Sequence, residues 1–158
     1  MIRCWRLVKE RHAATSFSGM GARLAGGRWN HPGDAVVYVS GALSLAALEL
    51  FVHLGPRSKT TLGLIGIPVE IPEDVISDQP ALPRNWRAQP PPTETKTLGS
   101  GWLHSGESCV LKVPSVIVPM EFNFVLNPAH PDFTAIEIGE GHPFSFDPRM
   151  WTSPSPAI

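Results

Sequence analysis

The sequence predicts one compact domain of the α+β class, with sheets that are largely antiparallel or mixed. The 158 residues are enough for one domain with a real core, and 42% hydrophobic against 17% charged residues is typical of a globular chain. A single stretch, residues 42–54, has the composition of a clear helix, and short β-type runs lie on both sides of it. Seventeen prolines favour short strands and fixed turns over a helical bundle.

The first part of the chain predicts two strands separated by a glycine-rich loop. The strands are residues 3–8 and Val36 to Ser40, and the loop has room for one helical turn near Met20 to Ala25. Ser40 is placed to cap the helix at 42–54, because a serine hydroxyl can accept from the free amides of a first turn. Gly55-Pro56 is expected to end that helix.

The second part predicts more strands around a proline-rich surface segment. Thr61 to Ile71 is expected to be a strand, which Pro68 places at a sheet edge or a bulge. Residues 77–97 are expected to form a long loop with a turn near Arg84 to Arg87, before a short helix at Gly99 to Ser105. The remaining predicted strands are Cys109 to Val113, Ile117 to Pro119, Phe122 to Leu126, Phe133 to Ile138 and Phe144 to Phe146.

Charge and composition argue against several functional classes. A formal charge of −1 and the lack of a Lys/Arg run argue against nucleic-acid binding. Cys4 and Cys109 lie in apolar runs, which favours buried thiols, with a disulfide as the alternative. Neither cysteine nor histidine spacing matches a zinc site, so we expect no metal. No apolar run near 18 residues and no signal-peptide pattern occur, so we expect a cytoplasmic protein.

Glu49 is a carboxylate in an almost wholly apolar helix. Between Ala42 and Leu54 the only polar side chains are Ser44, Glu49 and His53. A helix that is apolar nearly all round is usually buried, so this carboxylate needs partners, a proton or a place lining a cleft. His53 follows four residues later and shares a face with Glu49. The alternative is a partly exposed glutamate in a weak Glu–His pair.

Arg28 and Tyr38 add the elements of a nucleotide site. Gly26-Gly27 precede Arg28, and glycines allow close approach of a ligand, while a guanidinium binds phosphate oxygens as a fork. Tyr38, the only tyrosine, alternates with valines on its strand and suits stacking on nicotinamide or adenine. The alternatives are a loop arginine paired with a surface acid and a core tyrosine with a bonded hydroxyl. With Glu49, this set makes a dinucleotide such as NAD the leading substrate.

Two later stretches are ambiguous from the residues alone. Ser115 interrupts an apolar run, and without a G-x-S-x-G frame it predicts a buried, backbone-bonded serine rather than a nucleophile. Asn127-Pro128 with His130-Pro131 predicts turn chemistry.

The order of several short motifs resembles the RES-domain family, the toxin component of bacterial Xre–RES type II toxin–antitoxin systems. Each motif is weak alone, but their order and spacing are specific. The resemblance covers residues 3–150, which predicts a RES domain there and a flexible tail at 151–158. The motifs are Trp5-Arg6, Phe17-Ser18-Gly19 with Gly21-Ala22, Gly26-Gly27-Arg28-Trp29-Asn30, Val36 with Tyr38-Val39-Ser40, Ser44-Leu45-Ala46 with Leu48-Glu49, Gly101-Trp102-Leu103, Leu111-Lys112-Val113-Pro114-Ser115 with Pro119, Glu121 with Asn123, Asn127-Pro128 with His130-Pro131, and Asp147-Pro148-Arg149.

The resemblance implies a fold similar to that of ADP-ribosyltransferase toxins and an activity that degrades cellular NAD+ by hydrolysis or phosphorolysis, arresting growth. The arginine, glutamate and serine for which the family is named correspond to Arg28, Glu49 and Ser115, and its active-site tyrosine to Tyr38. It also implies a cognate Xre-type antitoxin that carries the DNA binding, in a toxin–antitoxin hetero-oligomer.

Residues and resemblance together predict an enzyme that takes NAD+ as substrate and needs no cofactor. Arg28 is expected to neutralise the pyrophosphate, Tyr38 to pack on nicotinamide, and Glu49 to stabilise the cation that forms as the nicotinamide–ribose bond breaks. Ser115 is expected to bind the ribose or carboxamide, or to orient Glu49. The predicted catalytic residues are Arg28, Tyr38, Glu49 and Ser115, and the predicted substrate-binding residues are Arg6, Gly27, Trp29, Ser40, His53 and Asn127.

Two other functions fit the same residues. A mono-ADP-ribosyltransferase would pass the ADP-ribosyl group to a protein side chain, and a non-catalytic module would bind the nucleotide only.

Overall fold

The computed structural model describes residues 1–54 and 63–151. Within those residues eight strands join into one sheet, accompanied by α-helices and short 3₁₀ turns, which confirms the predicted α+β class. The helices are α1 (Met20–Ala25), α2 (Leu43–Phe51) and α3 (Thr93–Ser105). The strands are β1 (Ile2–Lys9), β2 (Val37–Ser40), β3 (Leu64–Ile71), β4 (Ile76–Asp78), β5 (Val110–Pro114), β6 (Phe122–Leu126), β7 (Glu137–Ile138) and β8 (His142–Phe144).

The sheet has the strand order β4-β5-β6-β2-β1-β3-β7, with β8 also paired to β3. Only β4 and β5 are parallel in the described sheet, and every other neighbouring pair is antiparallel. A parallel pair needs a long crossover, and the segment that carries α3 supplies it.

The sheet is nearly divided between β1 and β2. Eight residue pairs join β1 to β3 and four join β2 to β6, whereas the β1–β2 ladder has one pair, Trp5 opposite Ser40. We call this place the seam. It separates one half (β4, β5, β6 and β2) from the other (β1, β3, β7 and β8), and two residues discussed below, Arg6 and Ser40, lie on the strands that border it.

Successive side chains along the strands of the β2 half point to opposite faces and pack into two hydrophobic clusters. Val37, Val39, Phe124 and Leu126 lie in one cluster, and Val125 in another beneath α3, where Tyr38 also packs. The period-two pattern therefore places Tyr38 on the face opposite its valine neighbours, as the sequence predicted.

Helix α2 packs on the β1 half through Ala46 and Ala47, in a cluster that includes Leu7 and Leu64. Leu45 is also buried, and Glu49 lies one turn after it on the same face. The expected cap from Ser40 is wrong: the helix is preceded by Ala42 without a side-chain cap, and the Ser40 hydroxyl donates to Asn123 instead.

Helix α3 begins six residues before its predicted start. Pro92 precedes it in an extended conformation, and the buried Thr95 hydroxyl donates back to the Pro92 carbonyl. The proline-rich composition predicted a loop through residue 97, but packing of the Thr95 face against the core stabilises the helix from Thr93. The predicted turn at Arg84 to Arg87 is confirmed.

The predicted strand at Ile117 to Pro119 is wrong, and two further strand predictions are wrong at their boundaries. Residues 117–119 form a turn rather than a strand, since amides there bond to the Ser115 hydroxyl. Residues 133–135 belong to the 3₁₀ turn Pro131–Ala135, so only Glu137–Ile138 pairs as a strand. The last strand is His142–Phe144, because Phe146 turns into the cluster beneath α2.

Pro68 lies inside the sheet rather than at an edge. It faces Trp5 of β1, and its carbonyl accepts from Gly139 on the other side. The N–H that proline lacks would point to that same side, where the ladder passes from β8 to β7. The missing donor therefore falls in a gap between two short partner strands.

Both cysteines are buried free thiols in one cluster, as the apolar runs predicted. Burial, with a contribution from the charge of Glu70, raises the pKa of Cys4 to about 12. Burial, with a contribution from Asp132, raises the pKa of Cys109 to about 11.

Gly55-Pro56, the start of the predicted strand at Thr61 and residues 152–158 of the predicted tail fall outside the described residues. Trp151, the first residue of that predicted tail, packs against the rings of Phe51 and Phe146. Among the described helices, none combines the length and apolar character needed to cross a membrane.

Two glycines of α3 give a matched test of this packing. A Cβ on Gly99 would lie 1.8 Å from the Trp29 carbonyl oxygen, whereas one on Gly101 would meet nothing within 4 Å. We expect Gly99→Ala to lower the free energy of unfolding by about 3 kcal/mol or more, since the obstacle is backbone. Gly101→Ala should raise it by about 0.5–1 kcal/mol through helix propensity. Urea unfolding measures both, and equal stabilities would contradict the close contact between α3 and the Trp29 loop.

Candidate active site

The Glu49 carboxylate is held by two donors from the β5–β6 hairpin. The Ser115 hydroxyl donates to Oε1 at 2.8 Å and the Asn123 amide donates to the same oxygen at 2.6 Å. Among the described residues no hydrogen bond reaches Oε2. One carboxylate oxygen is therefore fixed by the protein, and the other keeps its capacity to accept from a ligand.

Ser115 is fully buried immediately after β5. Its hydroxyl accepts from the amides of Ile117 and Val118, both at 3.1 Å, and its own amide donates to the Glu121 carbonyl. A hydroxyl carries one proton, so these two bonds leave that proton for Glu49. The backbone-bonded serine predicted from the residues alone and the Glu49-orienting serine are the same side chain.

Tyr38 anchors the loop that carries Arg28. Its hydroxyl donates to Asn30 Oδ1 at 2.7 Å and accepts from the Trp29 amide at 3.1 Å. A Cβ on Gly27 would lie 2.7 Å from that hydroxyl, so the close approach requires glycine. Burial raises the pKa of Tyr38 well above its ordinary value, with the charge of Arg28 acting in the opposite direction. The phenol is therefore a neutral donor at physiological pH.

The Arg28 guanidinium is bound to the proline-rich segment. Nη1 donates to the carbonyls of Trp86 and Ala88, and Nη2 to Gln89 Oε1, each at 2.8 Å. Three of its five N–H groups are used, and among described residues the Nε–H and one N–H of Nη2 have no partner. Two N–H groups are what a bidentate phosphate contact requires.

Arg28 and Glu49 lie within electrostatic reach of each other. Burial lowers the pKa of Arg28 from its ordinary value, and the Glu49 charge acts to raise it. The hydrogen-bond acceptors of Arg28 are neutral, so its cation forms no contact ion pair among the described residues.

Arg6 reaches across the seam from β1. Its Nη1 donates to the Tyr38 carbonyl at 2.7 Å, and its guanidinium lies 5.8 Å from the centre of the Phe17 ring. The buried Nε has no hydrogen-bond partner among the described residues. Burial lowers the pKa of Arg6 to about 10, so the group remains charged at neutral pH.

The other predicted substrate-binding residues are less closely grouped. Ser40 bonds Asn123 and is part of the Glu49 network. The Trp29 residue is 3% exposed, with its indole in the core, so it contacts the site through its backbone amide.

His53 is exposed beyond the end of α2 and has no bond to Glu49 among described residues, so the Glu–His pair is not formed. Asn127 lies beyond the opposite end of β6 from Asn123, about 13 Å along the strand, and its side chain bonds the Ala129 amide.

Two asparagines in the site were not selected from the sequence. Asn123 contacts Glu49 directly, and the fully buried Asn30 accepts from Tyr38 while donating to the carbonyls of Ala22, His31 and Asp34. Both residues stand in the motifs of the family resemblance, and Asn123 also lies between two phenylalanines, but neither pattern names the partner that the side chain contacts.

Other features of the described residues lie apart from this group. A surface depression of about 240 Å³ at the β3–β7 edge, lined by residues such as Arg3 and Glu70, contains none of the predicted site residues. No group of three or more His, Cys, Asp or Glu side chains in residues 1–54 and 63–151 is placed to hold a metal ion.

Comparison with known proteins gives the family. The RES domain family model matches residues 3–147. A protein named Toxin Res from Yersinia enterocolitica is 39% identical over 148 residues, covering 92% of this chain and 97% of that protein. A protein named Prs ADP-ribosylating toxin from a Sphingobium species is 37% identical over 153 residues, covering 92% and 94%. A Toxin Res from Photorhabdus laumondii is 41% identical over 131 residues, covering 82% and 83%.

The fold has a solved counterpart. A chain in the crystal structure of the M. tuberculosis MbcT–MbcA toxin–antitoxin complex matches with a TM-score of 0.73 over 90% of this chain and 84% of that one, at 15% identity. The chain belongs to the RES-domain family, which confirms the resemblance drawn from its motifs.

Tyr38→Phe tests whether the phenol holds the Arg28 loop. The change removes one accepted and one donated hydrogen bond, and it leaves the Trp29 amide and the side-chain Oδ1 of the buried Asn30 without those partners. We expect the free energy of unfolding to fall by about 1–3 kcal/mol. Ser18→Ala removes an exposed hydroxyl that donates to the Thr15 carbonyl and accepts from the Met20 amide, and it should change the free energy of unfolding by less than about 0.5 kcal/mol in the same urea titration. A Tyr38→Phe protein as stable as the control would show that the loop does not depend on the phenol.

Proposed function

We propose that this protein is the toxin of a toxin–antitoxin pair and that it cleaves the nicotinamide–ribose bond of NAD+. The observation that carries the proposal is the arrangement of Glu49, with Oε1 fixed by Ser115 and Asn123 and Oε2 without a partner among the described residues, within electrostatic reach of Arg28. The toxin names of the relatives support the physiological role, and the name of the Sphingobium relative supports chemistry on an ADP-ribosyl group.

The proposed chemistry needs a fixed negative charge beside the ribose. As the bond between the anomeric carbon and the nicotinamide nitrogen breaks, its electron pair leaves with nicotinamide, and positive charge develops on the ribose carbon and ring oxygen. The Glu49 carboxylate stabilises that charge or holds the ribose hydroxyls through Oε2. Nicotinamide leaves as a neutral molecule, so no strong general acid is required.

Arg28 and Tyr38 are assigned to substrate binding in this proposal. The two remaining N–H groups of Arg28 would bind the pyrophosphate, with the unpaired Nε of Arg6 as a second cationic contact. The partly buried Tyr38 ring would pack against nicotinamide while its hydroxyl continues to hold the Arg28 loop.

The acceptor defines two forms of the reaction. Water gives ADP-ribose, and phosphate gives its 1-phosphate ester, each with release of nicotinamide. Transfer to a protein side chain is the second candidate, favoured by the name of the Sphingobium relative. NAD labelled in the adenylate separates them: label in free ADP-ribose supports hydrolysis, label in its phosphate ester supports phosphorolysis, and label bound to protein supports transfer.

An enzyme that consumes NAD harms its own cell, so a protein partner must restrain it. We propose a cognate antitoxin of the Xre type that covers the Glu49 site, in a hetero-oligomer. The solved relative in a toxin–antitoxin complex supports the general form of this partner. Expression of the chain alone should lower cellular NAD and arrest growth, and co-expression of the protein encoded beside it should prevent both.

Glu49→Gln tests the charge with little change in shape. The glutamine carbonyl oxygen can still accept from Ser115 and Asn123, while Oε2 is replaced by an amide donor. We expect kcat for NAD loss to fall about 100- to 1,000-fold with an unchanged melting temperature. Glu121→Gln, at an exposed position, is the control. Near-normal turnover by Glu49→Gln would remove Glu49 from the mechanism.

Arg28→Ala tests the phosphate contact. We expect KM for NAD to rise about 10- to 100-fold, because a charged hydrogen bond to phosphate contributes about 1.5–3 kcal/mol. Arg28→Lys keeps the charge but loses the forked pair of N–H groups, so its KM for NAD should lie between those of wild type and Arg28→Ala. Arg23→Ala removes an exposed cation from α1 and serves as the control. An unchanged KM in Arg28→Ala would contradict the assignment.

A further inference from the structure

The geometry points to Ser40 and Asn123 as a positioning relay that sets the orientation of the Glu49 carboxylate. Ser40 fixes the Asn123 amide, Asn123 fixes one carboxylate oxygen, and the other oxygen is thereby turned towards the ribose. This inference rests on the proposed function and names two positioning residues for it.

The relay is a continuous chain of short hydrogen bonds. Ser40 Oγ donates to Asn123 Oδ1 at 2.7 Å, and Asn123 Nδ2 donates to Glu49 Oε1 at 2.6 Å. Ser40 is 5% exposed, and it is the direct cross-strand partner of Asn123. Facing residues on paired strands are held at a fixed separation by the ladder, so the backbone itself sets this contact.

The relay has a direction. The Asn123 amide could turn over only by aiming its carbonyl oxygen at the Glu49 carboxylate, which would place lone pairs against lone pairs. The Ser40 hydroxyl can donate or accept, so it follows the orientation that the carboxylate sets and donates to Asn123 Oδ1. The carboxylate therefore keeps the amide N–H on Oε1, and the Ser40 bond holds the amide in that place.

Two donors on a single oxygen restrict how the carboxylate can rotate. Ser115 approaches Oε1 from the turn after β5, and Asn123 approaches it from β6. A glutamate has three rotatable side-chain bonds, and its catalytic value depends on placement to within about 0.5 Å. Ser115 alone supplies one point of attachment, and the relay supplies the second.

Ser40 also occupies the seam. It is opposite Trp5 in the one residue pair that joins β1 to β2. The relay thus links the β2 half of the sheet to α2, which packs on the β1 half. The hydrogen bonds of Ser40 and Asn123, in addition to apolar packing, therefore fix Glu49 relative to both halves of the sheet.

Steady-state kinetics of purified variants test the relay. For Asn123→Ala we expect kcat for NAD loss to fall about 10- to 100-fold, and for Ser40→Ala about 3- to 10-fold, with KM within about 2-fold of wild type. Ser40→Thr keeps the hydroxyl and should retain at least about half of wild-type kcat. Ser77→Ala is the matched control, because it removes a hydroxyl with a 2.7 Å side-chain bond on the outer strand β4, and its kcat should be unchanged.

A structural role without positioning would give a different result. Unchanged kcat in both Ser40→Ala and Asn123→Ala would overturn the inference. A fall in kcat in Ser40→Ala that Ser40→Thr does not restore would also overturn it. So would an effect of these substitutions on KM instead of kcat.

A nuclear magnetic resonance measurement separates this inference from the proposed function. The side-chain N–H signals of Asn123 should shift in both Ser40→Ala and Glu49→Gln, and not in Ser77→Ala. If wild-type protein consumes no NAD, the proposed reaction fails while these signals still report the relay. Asn123 signals that stay in place in Ser40→Ala and Glu49→Gln overturn it, whatever the turnover.

Discussion

The seam between β1 and β2 is the constraint around which this molecule is arranged. One residue pair joins the two strands, and beyond it a side chain, Arg6, donates to the Tyr38 carbonyl. Where two strands are fully paired, their backbone N–H and C=O groups bond each other. Where the strands diverge, those backbone groups need side-chain or solvent partners instead. At this seam Arg6 donates to a backbone carbonyl, and Ser40 begins the hydrogen-bonded chain that leads through Asn123 to Glu49.

Glu49 and Arg28 carry opposite charges and form no contact ion pair with each other among the described residues. Glu49 receives uncharged donors, Ser115 and Asn123, while Arg28 donates to uncharged acceptors in residues 86–89. Had the two formed a contact ion pair, each would have satisfied the other and neither would be available to a substrate. Neutral partners hold both charges in place, and Oε2 of Glu49 and two N–H groups of Arg28 have no partner among the described residues.

The proline-rich segment is more than a surface loop, because it holds a residue of the candidate site in place. The carbonyls of Trp86 and Ala88 accept from the Arg28 guanidinium. Arg87 donates a longer hydrogen bond, at 3.4 Å, to the carbonyl of Val116, the residue after Ser115. Residues far apart in sequence, in the glycine loop, in this segment and after β5, are thereby tied together. Local composition predicted an exposed turn there and carried no information about what that turn would contact.

Much of the fold and part of the site follow from local sequence, and the remainder depends on contacts between distant residues. Period-two alternation determined β2 and β6 and the face of Tyr38, and the apolar run determined α2 with one acid on its buried side. The motif order determined the family. Tertiary structure decided the start of α3, the turn at 117–119 and the interior place of Pro68, since each depends on a partner that propensity does not see. It also decided the site: Asn123 joined Glu49 and Ser40, while the Trp29 indole went to the core and Asn127 to the far end of its strand. Sequence specifies which side chains are polar and on which face they lie, and only the packed chain specifies which of them meet.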